Sequence, residues 1–284
     1  MSRPAPVPPE TPAAPADFEV AAFLPVVAGG LAAAPNVILQ LAAPGVGYGV
    51  LESTVHSGNV MIHPIKRLRT TMTYLAVALL GTDEERAAYR EAVNTSHRQV
   101  RSTAASPVKY NAFDVRLQLW VAACLYWGLA DLHERLHGPM AGPEADAFYQ
   151  YAARLGTTLQ VRPEMWPPDR AAFDRYWAEN LAATTVSPPV RAYLRDLVDL
   201  KMLPTPVQVL LARPHRYLVA GMLPPHIRDQ MGLRWTSRDE WLLSRTLRLL
   251  GHVDNALPYS VRRLPLGIYL SDLRFRRKHG LPLV

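Results

Sequence analysis

Leu117-Gln118-Leu119-Trp120-Val121-Ala122-Ala123-Cys124-Leu125-Tyr126-Trp127-Gly128-Leu129-Ala130 is the stretch on which the fold turns. It is nearly all apolar, and Asp131, His133, Glu134 and Arg135 close it. A bilayer crossing needs about twenty continuous apolar residues. The run is too short for that and reads as a helix buried in a globular core. The stretch from Val20 to Val50 is also apolar, but Pro25, Gly29, Gly30, Pro35, Asn36, Gln40, Pro44, Gly45 and Gly47 cut it into pieces. Outward from the central run, the remaining periodic segments repeat at the helical spacing, and no two-residue alternation marks a strand.

Helices are predicted near 17–29, 31–43, 64–80, 83–101, 113–137, 143–156, 169–183, 188–201, 236–250 and 258–278. Thr82-Asp83-Glu84-Glu85 and Gly142-Pro143-Glu144 are start signals, while Gly81, Gly138 and Gly251 are stop signals. Prolines 163, 167, 168, 188, 189, 204, 206, 214, 224 and 225 are expected to divide the second half into short helices with tight turns. The fold class is therefore all-α, a single helical domain over 17–284 with helices 64–80 and 113–137 at its centre. It follows a Pro/Ala-rich tail, residues 1–16, whose repeated prolines block helix propagation and predict disorder.

The chain has 284 residues, 49% of them hydrophobic and 19% charged, which suits a globular domain with a substantial core. Cys124 is the sole cysteine, so an intrachain disulfide and any Cys-based zinc or iron–sulfur site are excluded. The tail lacks the apolar segment of a signal peptide, and a cytoplasmic location is expected. The net charge of +7 raises the question of an anionic partner. Its basic residues cluster late, at Arg262-Arg263 and Arg274-Phe275-Arg276-Arg277-Lys278, without a nucleic-acid-binding motif, so no nucleic-acid partner is expected. Interleaved with Leu266, Ile268, Leu270, Leu273 and Phe275, they read either as a solvated helix face or as a peripheral contact with an anionic membrane.

His97 lies near the end of the helix opened by Thr82-Asp83. Val93 at i−4 and Val100 at i+3 place its imidazole beside the apolar stripe. A neutral imidazole at an apolar wall suits an axial metal or haem-iron ligand, and it equally suits a core histidine bonded to a carbonyl. Arg67, Thr71 and Tyr74 stand at i, i+4 and i+7 of the helix after His63-Pro64 and share a face. A semi-buried arginine needs an anion: either a bound carboxylate such as a haem propionate or a carboxylate of the chain such as Asp114. In the second case Thr71 would bond back to its own helix. His133-Glu134-Arg135-Leu136-His137 matches the H-E-x-x-H pattern of zinc proteases, but no third ligand follows at a recognisable spacing, and we read it as a chance match.

The order Leu39-Gln40-Leu41-Ala42-Ala43-Pro44, His56-Ser57, Arg67-Leu68-Arg69-Thr70-Thr71 and His97-Arg98-Gln99-Val100 resembles the DUF2236 family. That is the catalytic domain shared by MpaB-type oxygenases and the rubber oxygenase called latex clearing protein. The likeness continues through Tyr110-Asn111-Ala112-Phe113-Asp114 with Leu119-Trp120-Val121, and through Leu223-Pro224-Pro225-His226-Ile227-Arg228 with Gly232-Leu233-Arg234-Trp235. The resemblance implies a globin-like helical bundle holding haem b (iron protoporphyrin IX), with His97 as the proximal iron ligand. It implies that Arg67 and Thr71 are needed for haem retention or activity, and that the reaction is an O2-dependent cleavage of a carbon–carbon double bond in an apolar, isoprenoid-type molecule. Several departures mark this chain: Ala43 precedes Pro44 where many relatives have histidine, and Ser102 follows the His97 segment where they have glycine. Thr70 stands where rubber-cleaving members carry a distal lysine, and Glu52 is the nearest counterpart of their distal carboxylate base. The alternative reading is a non-catalytic helical haem- or lipid-binding protein peripheral to a membrane.

Overall fold

Pro64 opens and Gly81 closes α3 (Pro64–Leu80), because a proline at the first helical position gives up an N–H that would have no partner anyway. The next helix, α4 (Asp83–His97), begins with a reciprocal capping box in which the Thr82 side chain accepts from the Glu85 N–H and Glu85 accepts from the Thr82 N–H. These bounds come from a computed structural model of the chain, which describes residues 18–24 and 30–284. The expected tail lies outside the described residues, and so do residue 17 and residues 25–29 of the expected helix 17–29; within 18–24 the chain forms only a short 3-10 turn at Val20–Phe23.

The sequence that opened the reading becomes α5 (Val115–His137), capped by Asp114 and ended at Gly138, whose φ of 90° favours glycine. Its buried residues run from Gln118 to Tyr126 and then through Leu132 and Leu136. Before it come α1 (Ala33–Ala42) and α2 (Pro44–Leu51); after it come α6 (Gly142–Ala152), α7 (Arg154–Thr157), α8 (Arg170–Ala183) and α9 (Pro188–Val198). The chain closes with α10 (Thr205–Met222), α11 (Pro225–Met231), α12 (Ser237–Ala256) and α13 (Tyr259–Lys278). α5 packs against α1, α7 and α12, while α3 packs against α13, α4 and α7. Trp120 and Trp127 of α5 both stack on Trp177 of α8, with ring centroids 5.4 and 5.0 Å apart. Burial of a large side chain such as Trp120 contributes on the order of 2–3 kcal/mol. One core therefore runs from Val20 to Leu273, with a satellite of Leu132, Leu136, Met222, Leu243 and Leu247 beneath α12. Among the described residues every regular element is helical, and extended pairing is confined to one isolated bridge, Arg101 with Asn111.

Four expectations need correcting. The predicted helix 31–43 is α1, but a second helix that was not expected, α2, follows at once, because Ala43 is extended (ψ 124°) and Pro44 opens a new helix. The helix predicted to reach 101 stops at His97, where the chain turns and the Val100 N–H bonds the His97 carbonyl. α10 runs straight through Pro214. The carbonyl that this proline leaves without an N–H belongs to the exposed residue Leu210, where water can take its place. Gly251 does not stop α12. A Cβ there would fall 2.0 Å from the Leu136 carbonyl oxygen, so this glycine is what lets α12 lie directly on α5.

Candidate functional site

α3 and α4 are locked together before they present anything to a ligand. The Tyr89 hydroxyl of α4 donates to the Thr70 carbonyl of α3 at 2.6 Å. One turn ahead of His97, the Gln160 side chain donates to Asn94 at 2.6 Å, and the Gln160 N–H donates to the Gln118 side chain at 2.9 Å. Gln118 in turn donates to the Ala112 carbonyl at 2.7 Å. This amide relay fixes the end of α4 against α5 and the loop between them, and with it the place of His97. Sequence periodicity gave no sign of it, because its members are ordinary polar residues far apart in the chain.

His97 sits edge-on to Phe113, with ring centroids 6.1 Å apart. Its Nδ1 is buried without a hydrogen-bond partner, and neither ring nitrogen bonds to a described residue. Burial, helped by the nearby positive charge of Arg67, pushes its pKa down to about 4, so the imidazole is neutral at physiological pH. A histidine that satisfies itself on a carbonyl would look different. This one keeps its lone pair available.

Arg67 is near enough to His97 for its charge to act on the imidazole. Among the described residues its guanidinium has neither an ion pair nor a hydrogen bond. Asp114, its expected carboxylate partner, instead caps α5 by accepting from the Arg116 N–H at 2.8 Å. Burial pulls the Arg67 pKa below the usual arginine range, with Tyr193 and Tyr89 opposing the shift. The surface of Arg67 is nevertheless exposed. Atoms of the chain therefore crowd around Arg67 while its own surface stays open to solvent and to a ligand.

Thr71 is half-buried one turn along the same helix and makes no side-chain hydrogen bond to a described residue. Its neighbours behave otherwise: Thr70 donates to the Arg67 carbonyl at 3.0 Å and Thr73 to the Arg69 carbonyl at 2.8 Å. Tyr193 of α9 joins the group, its hydroxyl buried and without a partner. Sequence reasoning missed it, since α9 is remote in the chain and tyrosine carries no ligand signal of its own. The structure thus brings Arg67, His97 and Tyr193 into one neighbourhood, with Thr71 on the Arg67 face.

Glu52 is elsewhere. Its carboxylate accepts from Ser106 at 2.6 Å and from Tyr110 at 2.8 Å, in a cleft of about 280 Å³ on the outer side of the loop that follows His97. No contact links it to Arg67 or Thr71. His56 and His63 are both exposed. His133 and His137 lie ring to ring at 4.8 Å, and His137 Nε2 is 3.4 Å from buried Asp254. Among the described residues no group of three or more His, Cys, Asp or Glu side chains is arranged to hold a metal ion.

Residues 23–252 match the catalytic-domain family described as ER-bound oxygenase mpaB/B'/Rubber oxygenase. The chain belongs to this family. The match covers α1 to most of α12 and so includes every residue of the Arg67–His97–Tyr193 group. Uncharacterized proteins of Mycobacterium bovis and Mycobacterium tuberculosis are each 53% identical over 255 residues, spanning 88% of this chain and 98% of theirs. No solved structure matches the chain significantly. Membership supports an oxygenase-type enzyme. No helix of the described residues is long and apolar enough to cross a membrane.

Proposed function

We propose that the protein is a haem b-dependent oxygenase acting on an apolar, isoprenoid- or lipid-like small molecule, with the cofactor held by Arg67 of α3 and His97 of α4. The observation that carries this reading is the closeness of a guanidinium without an ion pair or hydrogen bond to a neutral histidine whose ring nitrogens bond to no described residue. Both groups are open to a ligand that supplies an anion for the guanidinium and an electron-pair acceptor for the imidazole. Haem supplies a propionate and an iron, and when bound it would provide the O2 activation that this family's chemistry requires.

The chain's own residues divide the work. His97 offers an imidazole lone pair that remains unprotonated down to a pH of about 4. Arg67 offers a planar fork that matches a carboxylate. Thr71, free of internal bonds, and Tyr193 offer hydroxyls on the same side. The amide relay through Asn94, Gln160 and Gln118 keeps His97 in place. With Thr70 turned back onto its own helix, no lysine reaches into the site from that position.

The test is reconstitution with hemin. The wild type should develop a Soret band at one haem per chain. His97→Ala should lose that band or its low-energy bands while its helical circular dichroism is kept. A protein that rejects hemin, or a His97→Ala variant with an unchanged spectrum, would overturn the assignment.

A further inference from the structure

Three of the basic residues that first suggested a membrane contact are already paired. Leu266, Leu270 and Leu273 of α13 are buried in the core. Arg274 bonds Glu85 at 2.7 Å, Arg276 bonds Asp272 at 2.8 Å, and Arg277 bonds Glu84 at 2.5 Å. The C-terminal end of α13 has thus paired three of its basic side chains, which leaves that end less to offer an anionic surface.

α12 does the opposite. Its inward side carries Leu243, Leu247, Gly251 and Asp254 against α5 and α10. Its outward side carries Trp241, Leu242, Leu249 and Val253, with exposures of 57, 49, 67 and 54%. All three of its acids are turned away from that side or occupied. Asp239 caps the helix through Thr236, Glu240 accepts from Arg135 and Trp235, and Asp254 is buried beside His137. All three of its arginines, Arg238, Arg245 and Arg248, are exposed and lack a carboxylate partner among the described residues. Arg245 lies over the Trp241 ring at 4.6 Å, an arrangement that leaves the guanidinium free to meet an anion.

We infer that the outward face of α12 docks on an anionic lipid bilayer. Four lines of observation favour that occupant. The exposed side chains are large and apolar, with a tryptophan among them, which suits insertion at the headgroup boundary. The charge is of one sign, so a second copy of the same face would bring arginine against arginine. The face is the outside of one helix whose neighbours lie behind it, a ridge without the walls a peptide groove needs. Finally, the next helix continues the exposed apolar character at Leu264 and Ile268, 54 and 61% exposed. The inference does not rest on haem.

Co-sedimentation of the full chain with vesicles tests it. The wild type should bind vesicles of mixed phosphatidylcholine and phosphatidylglycerol, bind phosphatidylcholine alone far more weakly, and lose binding at high salt. Each arginine contributes roughly fivefold at an anionic surface. Replacing Arg238, Arg245 and Arg248 by Gln should therefore weaken partition by roughly a hundredfold. Trp241→Ser with Leu249→Ser should weaken it as well. The substitutions are exposed, so unchanged circular dichroism is expected and serves as the folding control. Independently, brominated lipid should quench tryptophan emission in the wild type and not in Trp241→Phe. Absence of binding, equal binding to both vesicle types, or binding that survives the triple substitution overturns the inference. So does a wild-type dimer that the α12 substitutions dissociate, or preference for an acidic polypeptide such as polyglutamate over vesicles.

Discussion

On the α3–α4 pair two arginines, Arg90 and Arg67, mark a structural end and an open end of a comparison, and their surroundings differ in kind. Arg90 aims its Nε at the Thr158 carbonyl and a terminal nitrogen at the Thr157 carbonyl, each at 2.7 Å, where the end of α7 gathers negative partial charge. Arg67 has no such acceptor among the described residues. The fold thus ties down the half-buried guanidinium of Arg90 and leaves the exposed one of Arg67 open beside His97. The difference separates a residue that holds the protein together from one that waits for an anion from outside.

The largest expected effect belongs to the structural end. Arg90→Ala removes two charge-assisted bonds and should cost about 3 kcal/mol of unfolding free energy. Arg67→Ala, in protein free of haem, should change stability by less than about 1 kcal/mol in either direction, because a desolvated and unpaired charge is lost. Urea denaturation of the two variants compares them directly, and equal losses would erase the distinction. Hemin titration should reverse the order. Arg67→Ala should bind about 10- to 100-fold more weakly, the scale of one charge-assisted bond of roughly 1.5–3 kcal/mol, while folded Arg90→Ala should bind as the wild type does.

The third effect follows from His97. Its pKa in the folded chain is about 4, below the ordinary 6.5, so between these values the unfolded chain binds more protons. Stability is therefore full above pH 6.5 and falls as pH drops toward about 4, by on the order of 2 kcal/mol for this group. His133, also pushed down to about 4 by burial and then by His137, adds a slope of the same sign. His97→Phe should flatten part of the decline in melting temperature over that range, and an unchanged slope would show that His97 is solvated. The smallest effect is at Tyr193. Tyr193→Phe should weaken haem binding by about fivefold, as loss of one neutral hydrogen bond would, without lowering the stability of the haem-free protein. A loss of stability equal to the loss of affinity would make Tyr193 part of the scaffold.

Much of the fold was legible in the sequence. Pro64 and Gly81, the Thr82–Glu85 capping box and the apolar run in α5 each combine a local signal with the tertiary outcome. What escaped was contextual. Gly251 has the chemistry of a helix stop, but its use here is to admit the Leu136 carbonyl, which depends on a helix more than a hundred residues earlier. Pro214 has the chemistry of a helix breaker, yet α10 continues because water reaches the position it disrupts. The candidate site divides the same way. Arg67, Thr71 and His97 were visible because each lies on a periodic helix face, and the family resemblance joined them. Tyr193 and the Gln118–Gln160 relay were not, because their meaning comes from what fails to bond with them or from partners on other helices.

Cys124 gives the chain a practical property. Its thiol is buried within α5, and burial raises its pKa well above the ordinary range, so the reactive thiolate is suppressed. Because it is also the sole cysteine, the protein is a silent background for thiol chemistry. A cysteine introduced on any exposed helix will take a maleimide dye or spin label alone. The surroundings of any single exposed position can then be followed without altering the native sulfur.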